Sequence, residues 1–207
     1  KVSEREFRLH AVPLRTAYEQ VKAAGAKTVL DLGCGEGKLL KLLLDDRQFT
    51  RILGMDVSLY ALDIAKRRLK LDRLSDHDRD RLTLLQGSAT YRDRRMEGFD
   101  AVLLVEVMEH LELHRLPALE RVVFEHARPG MVVVTTPRAD YNEKFAEQTA
   151  AGQFRHDDHR FEWTEAEFQT WATQVAAQHG YQVTFQSIGE AHEQFGAPSQ
   201  MGVFKRH

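Results

Sequence analysis

The sequence predicts an α/β domain in which a mostly parallel β-sheet is covered by helices on both faces. Short apolar runs alternate along the chain with stretches that have helical periodicity. A cluster of glycines follows the first apolar run, and polar residues stand directly after several of the others. In a parallel sheet, residues at these positions meet at the edge formed by the carboxyl ends of the strands. We therefore expect a ligand site at that edge.

Length and composition fit a single domain. The 207 residues contain no linker rich in proline, serine or glycine and no internal repeat. The 29 basic and 31 acidic residues give a net charge of -2, which excludes the strongly basic class of nucleic-acid-binding proteins. A single cysteine, Cys34, excludes an internal disulfide framework, and no signal peptide or long apolar run is seen. We expect a cytoplasmic protein with no membrane association.

The chain starts with Lys1 rather than methionine, and its opening residues already have the pattern of an amphipathic helix. We therefore expect residues 1–207 to be one domain taken from a longer chain. Residues 1–26 are expected to form an N-terminal helical segment of that same domain.

Changes of periodicity and capping residues define the predicted elements. Helices are predicted over residues 3–24, 38–44, 58–71, 113–127 and 164–179. Strands are predicted over residues 28–32, 51–55, 82–85, 99–105, 131–135, 182–188 and 200–205. Ser58 can cap the third helix, and Thr164 with Glu167 forms a capping box for the last one. Gly25 and Gly180 are typical helix stops.

The turn after the first strand predicts a nucleotide-type ligand. Its glycines, Gly33, Gly35 and Gly37, let a ligand approach the backbone closely, and the next helix offers its N-terminal amides. Asp56 ends the second strand, where a carboxylate commonly accepts hydrogen bonds from ribose hydroxyls. The G-x-G-x-G spacing differs from the dinucleotide pattern, and Glu36 would repel a pyrophosphate. A ligand without phosphate is favoured over NAD, and the alternative is a turn that merely joins strand to helix.

A second polar cluster follows the fourth strand and predicts a metal site. Glu106, Glu109 and His110 are spaced so that their side chains would share one face of a helical turn. Candidates for a fourth ligand lie further along the chain: His114, His156 and His159. Carboxylates and imidazoles together suit a divalent cation of the Mg, Mn or Fe type. The alternative is a solvated helix face with hydrogen-bonded loop histidines.

Several motifs carry a family resemblance. The run VLDLGCGEGKLL, with GMD after the next strand, resembles the S-adenosylmethionine loop of class I methyltransferases. Further segments, QGSATYRD, VEVMEHL, TTPRADYN, RHDDHRFEWTEAEF and QMGVFKR, extend the resemblance to about Arg206. Together they resemble the methyltransferase domain of the small-RNA 3′-terminal 2′-O-methyltransferases, and most of all its bacterial RNA-repair branch. The resemblance implies a Rossmann-like class I methyltransferase fold.

The same resemblance implies roles for individual residues. The residues implied to bind S-adenosylmethionine are Asp31, Gly33, Gly35 and Gly37 around the methionine part, Asp56 on the ribose, and Ser88 and Ala89 near the adenine. The residues implied to bind Mg or Mn, and through it to be catalytic, are Glu106, Glu109, His110 and His159. His156 matches a less uniform position of the family motif, and we interpret it as a residue that contacts either the metal ligands or the substrate.

Three further residues are candidates for substrate contact. Arg138 stands where the family usually has asparagine, and its side chain is expected either at an RNA phosphate or in solvent. Asn142 is expected to shape the substrate pocket or to cap the next segment. Arg155 is expected to contact RNA beside the metal ligands. This small number of cationic candidates is consistent with a protein that contacts only a short stretch at the end of an RNA.

The resemblance implies a metal-dependent enzyme that moves the methyl group of S-adenosylmethionine to the 2′-hydroxyl of the 3′-terminal nucleotide of RNA. It also implies bacterial RNA repair with a polynucleotide kinase-phosphatase/ligase partner. Two alternatives stay open from the residues. One is a class I methyltransferase that acts on a small vicinal diol, and the other is a non-catalytic nucleotide-binding subunit.

Overall fold

The computed structural model of the chain describes residues 4–145, 154 and 156–207. In it a seven-stranded sheet has the order β3-β2-β1-β4-β5-β7-β6. The strands are β1 (Thr28–Leu32), β2 (Arg51–Asp56), β3 (Leu82–Gln86), β4 (Ala101–Val105), β5 (Met131–Pro137), β6 (Tyr181–Ile188) and β7 (Ser199–Arg206). Strands β1 to β5 are parallel, and β7 is antiparallel to both of its neighbours. The predicted α/β class with a mostly parallel sheet is confirmed.

The strand order reverses between β1 and β4. The chain moves outward from β1 to β2 and β3, then returns to the other side of β1. Ligands of open α/β sheets bind in the crevice at such a reversal, beyond the carboxyl ends of the strands. The glycine turn follows β1 and the Glu106 segment follows β4, so both predicted sites flank this crevice.

Six α-helices cover the sheet in the described part of the chain. They are α1 (Glu4–Ala23), α2 (Lys38–Asp45), α3 (Leu59–Arg68), α4 (Asp76–Arg81), α5 (Leu116–Glu120) and α6 (Glu165–His179). The Ser58 hydroxyl caps α3, and Thr164 and Glu167 form the reciprocal capping box of α6, as the sequence predicts. Helix α1 runs through Pro13.

Two of the predicted helices end differently. The helix predicted to reach residue 71 stops at Arg68, because Lys70 has a φ of 51° and turns the chain out of helical geometry. The helix predicted over residues 113–127 is divided into a 3₁₀ turn (Leu113–Arg115), α5 and a π-helical segment (Arg121–Ala127). The unpredicted helix α4 is polar throughout and has no apolar periodicity that could indicate it.

The two faces of the sheet carry separate cores. Leu30 and Leu104 face a cluster that includes residues of α5 and α6. Val29 and Leu103 face the opposite cluster, which includes residues of α1, α2 and α3. Neighbouring residues of one strand thus reach opposite faces, and both faces are buried, which explains the continuous apolar runs in the sequence. No helix within the described ranges is long and apolar enough to cross a membrane.

Candidate functional site

The glycine turn packs against the segment that follows β4. The amides of Gly33 and Cys34 donate to the carbonyl of Met55 at 2.7 and 3.0 Å, which fixes the turn over β2. Gly33 has a φ of +84°, and a Cβ added there would lie 2.6 Å from Val107 Cγ2. Gly35 has a φ of +51°, but an added Cβ would meet nothing within 4 Å. Gly33 is thus required for close packing, whereas the backbone at Gly35 is open to a ligand.

The Asp56 carboxylate is held at the mouth of this turn. Its Oδ2 accepts from the Gly35 amide at 2.8 Å, and its Oδ1 accepts from the Ser58 amide at 2.8 Å. A carboxylate oxygen can accept more than one hydrogen bond, so Asp56 retains capacity for ligand hydroxyls. The structure therefore brings Asp56 and the glycine turn together, as the sequence predicts.

Asp31 supplies a buried negative group at the same place. Its side chain is 3% exposed, and its Oδ2 finds no hydrogen-bond donor among the described residues. Burial raises the pKa of Asp31 to about 7, and the nearby Asp56 carboxylate adds to this effect. A buried acceptor without a donor fits a cationic ligand group such as the ammonium of S-adenosylmethionine. The residues present thus fit the cofactor that the resemblance implies.

Ser88 and Ala89 lie in the turn after β3. The Ser88 hydroxyl lies 3.0 Å from the Thr90 hydroxyl, and Ala89 packs against the core. Arg115 Nη2 donates to Thr90 Oγ1 at 2.6 Å, which ties this turn to the chain beyond the Glu106 segment. Sequence reasoning missed Arg115, because an isolated arginine in a helical pattern carries no signal of such a contact.

The segment after β4 departs from the predicted helical turn. Glu106 has a φ of 54°, and the chain becomes helical only in the 3₁₀ turn Met108–His110. The prediction that Glu106, Glu109 and His110 share one helical face is therefore wrong. Glu106 is instead held by β5, since its amide donates to the Thr135 carbonyl and its Oε1 accepts from Thr135 Oγ1 at 2.9 Å.

Three of the four predicted metal ligands converge. Glu109, His110 and His159 each offer a ligand atom, and these atoms lie within 4.8 Å of one another. Glu109 is fully buried and His159 is 5% exposed, while His110 is exposed. Glu106 lies outside this group of three, although its carboxylate interacts with that of Glu109. His114 also lies outside it, in an exposed turn.

The electrostatics of Glu109 favour a bound cation. Its Oε2 accepts from the Thr136 hydroxyl at 3.3 Å, whereas its buried Oε1 has no hydrogen-bond partner in the described part of the chain. Burial raises the pKa of Glu109 well above its usual range, and the neighbouring Glu106 carboxylate raises it further. A divalent cation would offset both effects, so this donor set fits Mg or Mn.

His159 is fixed by contacts that the sequence did not reveal. Its Nδ1 lies 2.5 Å from Glu162 Oε1, and both side chains are buried. The Asn142 amide donates to the other oxygen of Glu162. The Arg160 amide donates to the Glu109 carbonyl at 2.7 Å, so the loop is joined to the other ligands through its backbone. Glu162 was not singled out from sequence, although its place three residues after His159 was visible.

The predicted substrate residues have different environments. Arg138 is 15% exposed and pairs with Asp140 at 3.0 Å and Glu165 at 2.7 Å, so the prediction of a solvent-facing side chain is wrong. The two carboxylates that hold this guanidinium come from separate elements, Asp140 from the 3₁₀ turn after β5 and Glu165 from α6. Arg155 lies outside the described residues. The His156 ring lies 5.0 Å from that of His159.

We predict that Asp31→Asn stabilises the ligand-free protein at about pH 8. The pKa of Asp31 is raised from 3.8 to about 7 in the folded state. Its cost to folding is therefore absent below about pH 4, grows as the pH rises, and is complete above about pH 7. Urea unfolding should show a gain of about 1 to 3 kcal/mol at pH 8 that disappears near pH 4.

Asp100→Asn provides the opposite control. Burial alone would raise the pKa of Asp100, but hydrogen bonds from the Lys27 and Thr28 amides lower it. This substitution should therefore destabilise the protein at neutral pH. A loss of stability in Asp31→Asn at pH 8 would contradict the assignment of Asp31 as an uncompensated buried carboxylate.

Comparison with known proteins places this geometry in a family. The model of the family described as "Methyltransferase domain" matches residues 30–133. The methyltransferase domain of bacterial CtHen1 has a solved structure with 50% sequence identity and a TM-score of 0.87, covering 96% of this chain and 98% of that one. A chain of the Pnkp1/Rnl/Hen1 RNA repair complex has a TM-score of 0.68 over 94% of this chain and 41% of its own, and at 20% identity this shows a shared fold alone.

A curated relative is also named as a methyltransferase. The small RNA 2′-O-methyltransferase of Rattus norvegicus is 39% identical over 188 residues, which are 87% of this chain and 47% of that protein. The chain thus spans about half the length of this relative. The resemblance inferred from the sequence motifs is confirmed, and the class I fold with it. The chain belongs to the methyltransferase family, as a methyltransferase domain of the Hen1 type.

Proposed function

We propose that this domain methylates the 2′-hydroxyl of the 3′-terminal nucleotide of RNA, using S-adenosylmethionine and a divalent cation. The observation that carries the proposal is the convergence of Glu109, His110 and His159, of which Glu109 and His159 are buried. The segment that carries Glu109 and His110 packs on the glycine turn through Val107 and Gly33. A cation site beside a cofactor turn suits the joining of a methyl donor to a hydroxyl acceptor. The name of the Rattus norvegicus relative, small RNA 2′-O-methyltransferase, supports RNA as the acceptor.

The cofactor side of the site consists of two carboxylates, Asp31 and Asp56, and the open backbone at Gly35. When bound, S-adenosylmethionine supplies an activated methyl group on a sulfonium centre. Asp31 offers its unpartnered oxygen to a cationic group, the Gly35 backbone leaves room for close approach, and Asp56 offers acceptors for ribose hydroxyls. We infer that Ser88 and Ala89, in the turn after β3, contact the adenine, as the family resemblance implies.

The acceptor side is built from Glu106, Glu109, His110 and His159. When bound, Mg²⁺ or Mn²⁺ supplies Lewis acidity and a fixed position for two neighbouring hydroxyls. Glu109 brings a buried carboxyl group that a cation would hold in its ionised form, and the nitrogen ligands favour transition metals such as Mn. Thr135 and Thr136 hold the two carboxylates by hydrogen bonds, so the ligands are positioned before any cation arrives.

The biological setting belongs to the same proposal. Resemblance to the bacterial branch supports a role in RNA repair beside a polynucleotide kinase-phosphatase/ligase partner in the cytoplasm. The near-neutral net charge of -2 suits a domain that contacts only a short stretch at the RNA end.

We predict that the enzyme requires a free 2′,3′-diol at the RNA end. RNA that ends in a 2′-deoxynucleotide or in a 3′-phosphate should not be methylated, because both lack the pair of neighbouring hydroxyls that the cation would hold. Transfer of a radiolabelled methyl group to oligonucleotides that differ at the last nucleotide alone measures this. Full activity on a 3′-phosphate end would contradict the proposal. Equal activity on a small free diol would favour the small-molecule alternative.

We also predict that alanine at each ligand stops catalysis without removing the cofactor. Glu106→Ala, Glu109→Ala, His110→Ala and His159→Ala should each lose more than about a hundredfold in methyl transfer, since each removes several kcal/mol of stabilisation by the cation. S-adenosylmethionine binding, measured by calorimetry, should stay close to that of the wild type.

Glu112→Ala is the matched control for these variants. Glu112 follows the same segment, but its side chain is 57% exposed and lies at 3.6 Å from Arg160. Its loss should leave transfer nearly unchanged. Loss of cofactor binding in all four ligand variants would instead show that these residues maintain the fold.

A further inference from the structure

A buried carboxylate stands directly behind the proposed cation site. The Glu162 side chain is 1% exposed, and its Oε1 lies 2.5 Å from His159 Nδ1. Its Oε2 accepts from the Asn142 amide. Both carboxylate oxygens of Glu162 are therefore engaged by side chains.

We propose that Glu162 is a positioning residue that sets the tautomer and orientation of His159. An ionised carboxylate accepts hydrogen bonds but cannot donate them, so His159 must carry a proton on Nδ1 to bond to it. A neutral imidazole with its proton on Nδ1 presents a lone pair at Nε2. Nε2 is then the nitrogen that can face Glu109 and His110, whose ligand atoms lie within 4.8 Å of that of His159.

Asn142 extends this hydrogen-bonded chain and orients Glu162. It lies in the 3₁₀ turn Ala139–Phe145, which follows β5. The Ala139 amide donates to the Trp163 carbonyl at 2.9 Å, and Gln200 Nε2 donates to the same carbonyl at 3.0 Å. Trp163, the residue next to Glu162, is therefore anchored to the turn after β5 and to β7, which joins the loop that carries His159 to the edge of the sheet.

This arrangement assigns Asn142 a different task from substrate contact. An asparagine side chain can donate two hydrogen bonds and accept others. Here its amide is turned toward Glu162 rather than away from the loop. Carboxylate partners of metal-bound histidines fix the ring and raise its basicity, and their loss commonly costs 10 to 100-fold in metal affinity. The inference rests on the proposed cation site and names the residues that prepare it.

The first test reads the tautomer in the metal-free protein. Nitrogen-15 NMR should show His159 of the wild type with its proton on Nδ1, and Glu162→Ala should convert a large part of it to the Nε2-protonated form. An Nε2-protonated His159 in the wild type would overturn the proposal. This result does not depend on metal binding, so it stands apart from a failure of the proposed function, which would appear as absence of Mn²⁺ binding to the wild type.

The second test measures Mn²⁺ affinity by electron paramagnetic resonance. Glu162→Ala should weaken binding by about 10 to 100-fold. The double variant Glu162→Gln with Asn142→Asp keeps the net charge, and the acceptor at position 142 turns the glutamine amide toward it. The glutamine carbonyl then faces His159, so affinity should return to within a few-fold of the wild type, while Glu162→Gln alone binds more weakly than the double variant.

Glu120→Gln is the control for loss of a hydrogen-bonded glutamate elsewhere. Glu120 accepts from Trp171 Nε1 at 2.8 Å and is not one of the converging ligand residues. Its substitution should leave Mn²⁺ affinity unchanged. Wild-type affinity in Glu162→Ala, or equal losses in the double variant and in Glu162→Ala, would overturn the positioning role. If Glu162→Ala does not fold, Asn142→Ala removes the hydrogen bond that orients Glu162 and should likewise weaken Mn²⁺ binding. Wild-type affinity in Asn142→Ala would then overturn the positioning role.

Discussion

Two buried carboxylate oxygens without hydrogen-bond donors among the described residues set the conditions for the rest of this site. Asp31 Oδ2 and Glu109 Oε1 are both buried, and neither has a hydrogen-bond partner among the described residues. One belongs to β1 and the other follows β4, so they stand on the two sides of the crevice where the strand order reverses. Burying an acceptor in this way is costly unless a ligand supplies the missing partner. A cationic group of the cofactor would offset the free-energy cost of burying Asp31 Oδ2, and a metal ion would offset that of Glu109 Oε1.

The surrounding structure holds these carboxylates in place. Thr135 and Thr136, at the end of β5, donate to Glu106 and Glu109. The Gly33 contact with Val107 sets the distance between the two halves of the site, because any side chain at position 33 would collide there. Arg115 ties the turn after β3 to the same region through Thr90. The acceptor and donor sides are thus built as one packed unit at the edge of a rigid sheet.

Features with a strong local signal could be predicted from the sequence. The seven strands, the glycine turn, Asp56 and both helix caps follow from periodicity and from residue types with specific backbone roles. The convergence of Glu109 and His110 with a distant histidine was also predicted, with the choice of His159 coming from the family resemblance. Local patterns and motif spacing were sufficient for these features.

Features that depend on long-range contacts could not be predicted. Glu106 has a positive φ where it bonds to Thr135, 29 positions away, and a non-glycine residue gives no sequence signal for that conformation. The ion pairs of Arg138 join residues up to 27 positions apart, and Glu162 gains its role from Asn142, 20 positions away. In each case the partner is brought close by the sheet rather than by the neighbouring sequence.

The most direct test of the account is anomalous scattering at the manganese edge from crystals of the protein grown with Mn²⁺. The account predicts one strong peak at about 2.0 to 2.3 Å from Glu109, His110 and the Nε2 of His159, with the Glu106 carboxylate completing the ligands. A strong peak elsewhere with none at this position would contradict it, and so would a cation bound without His159.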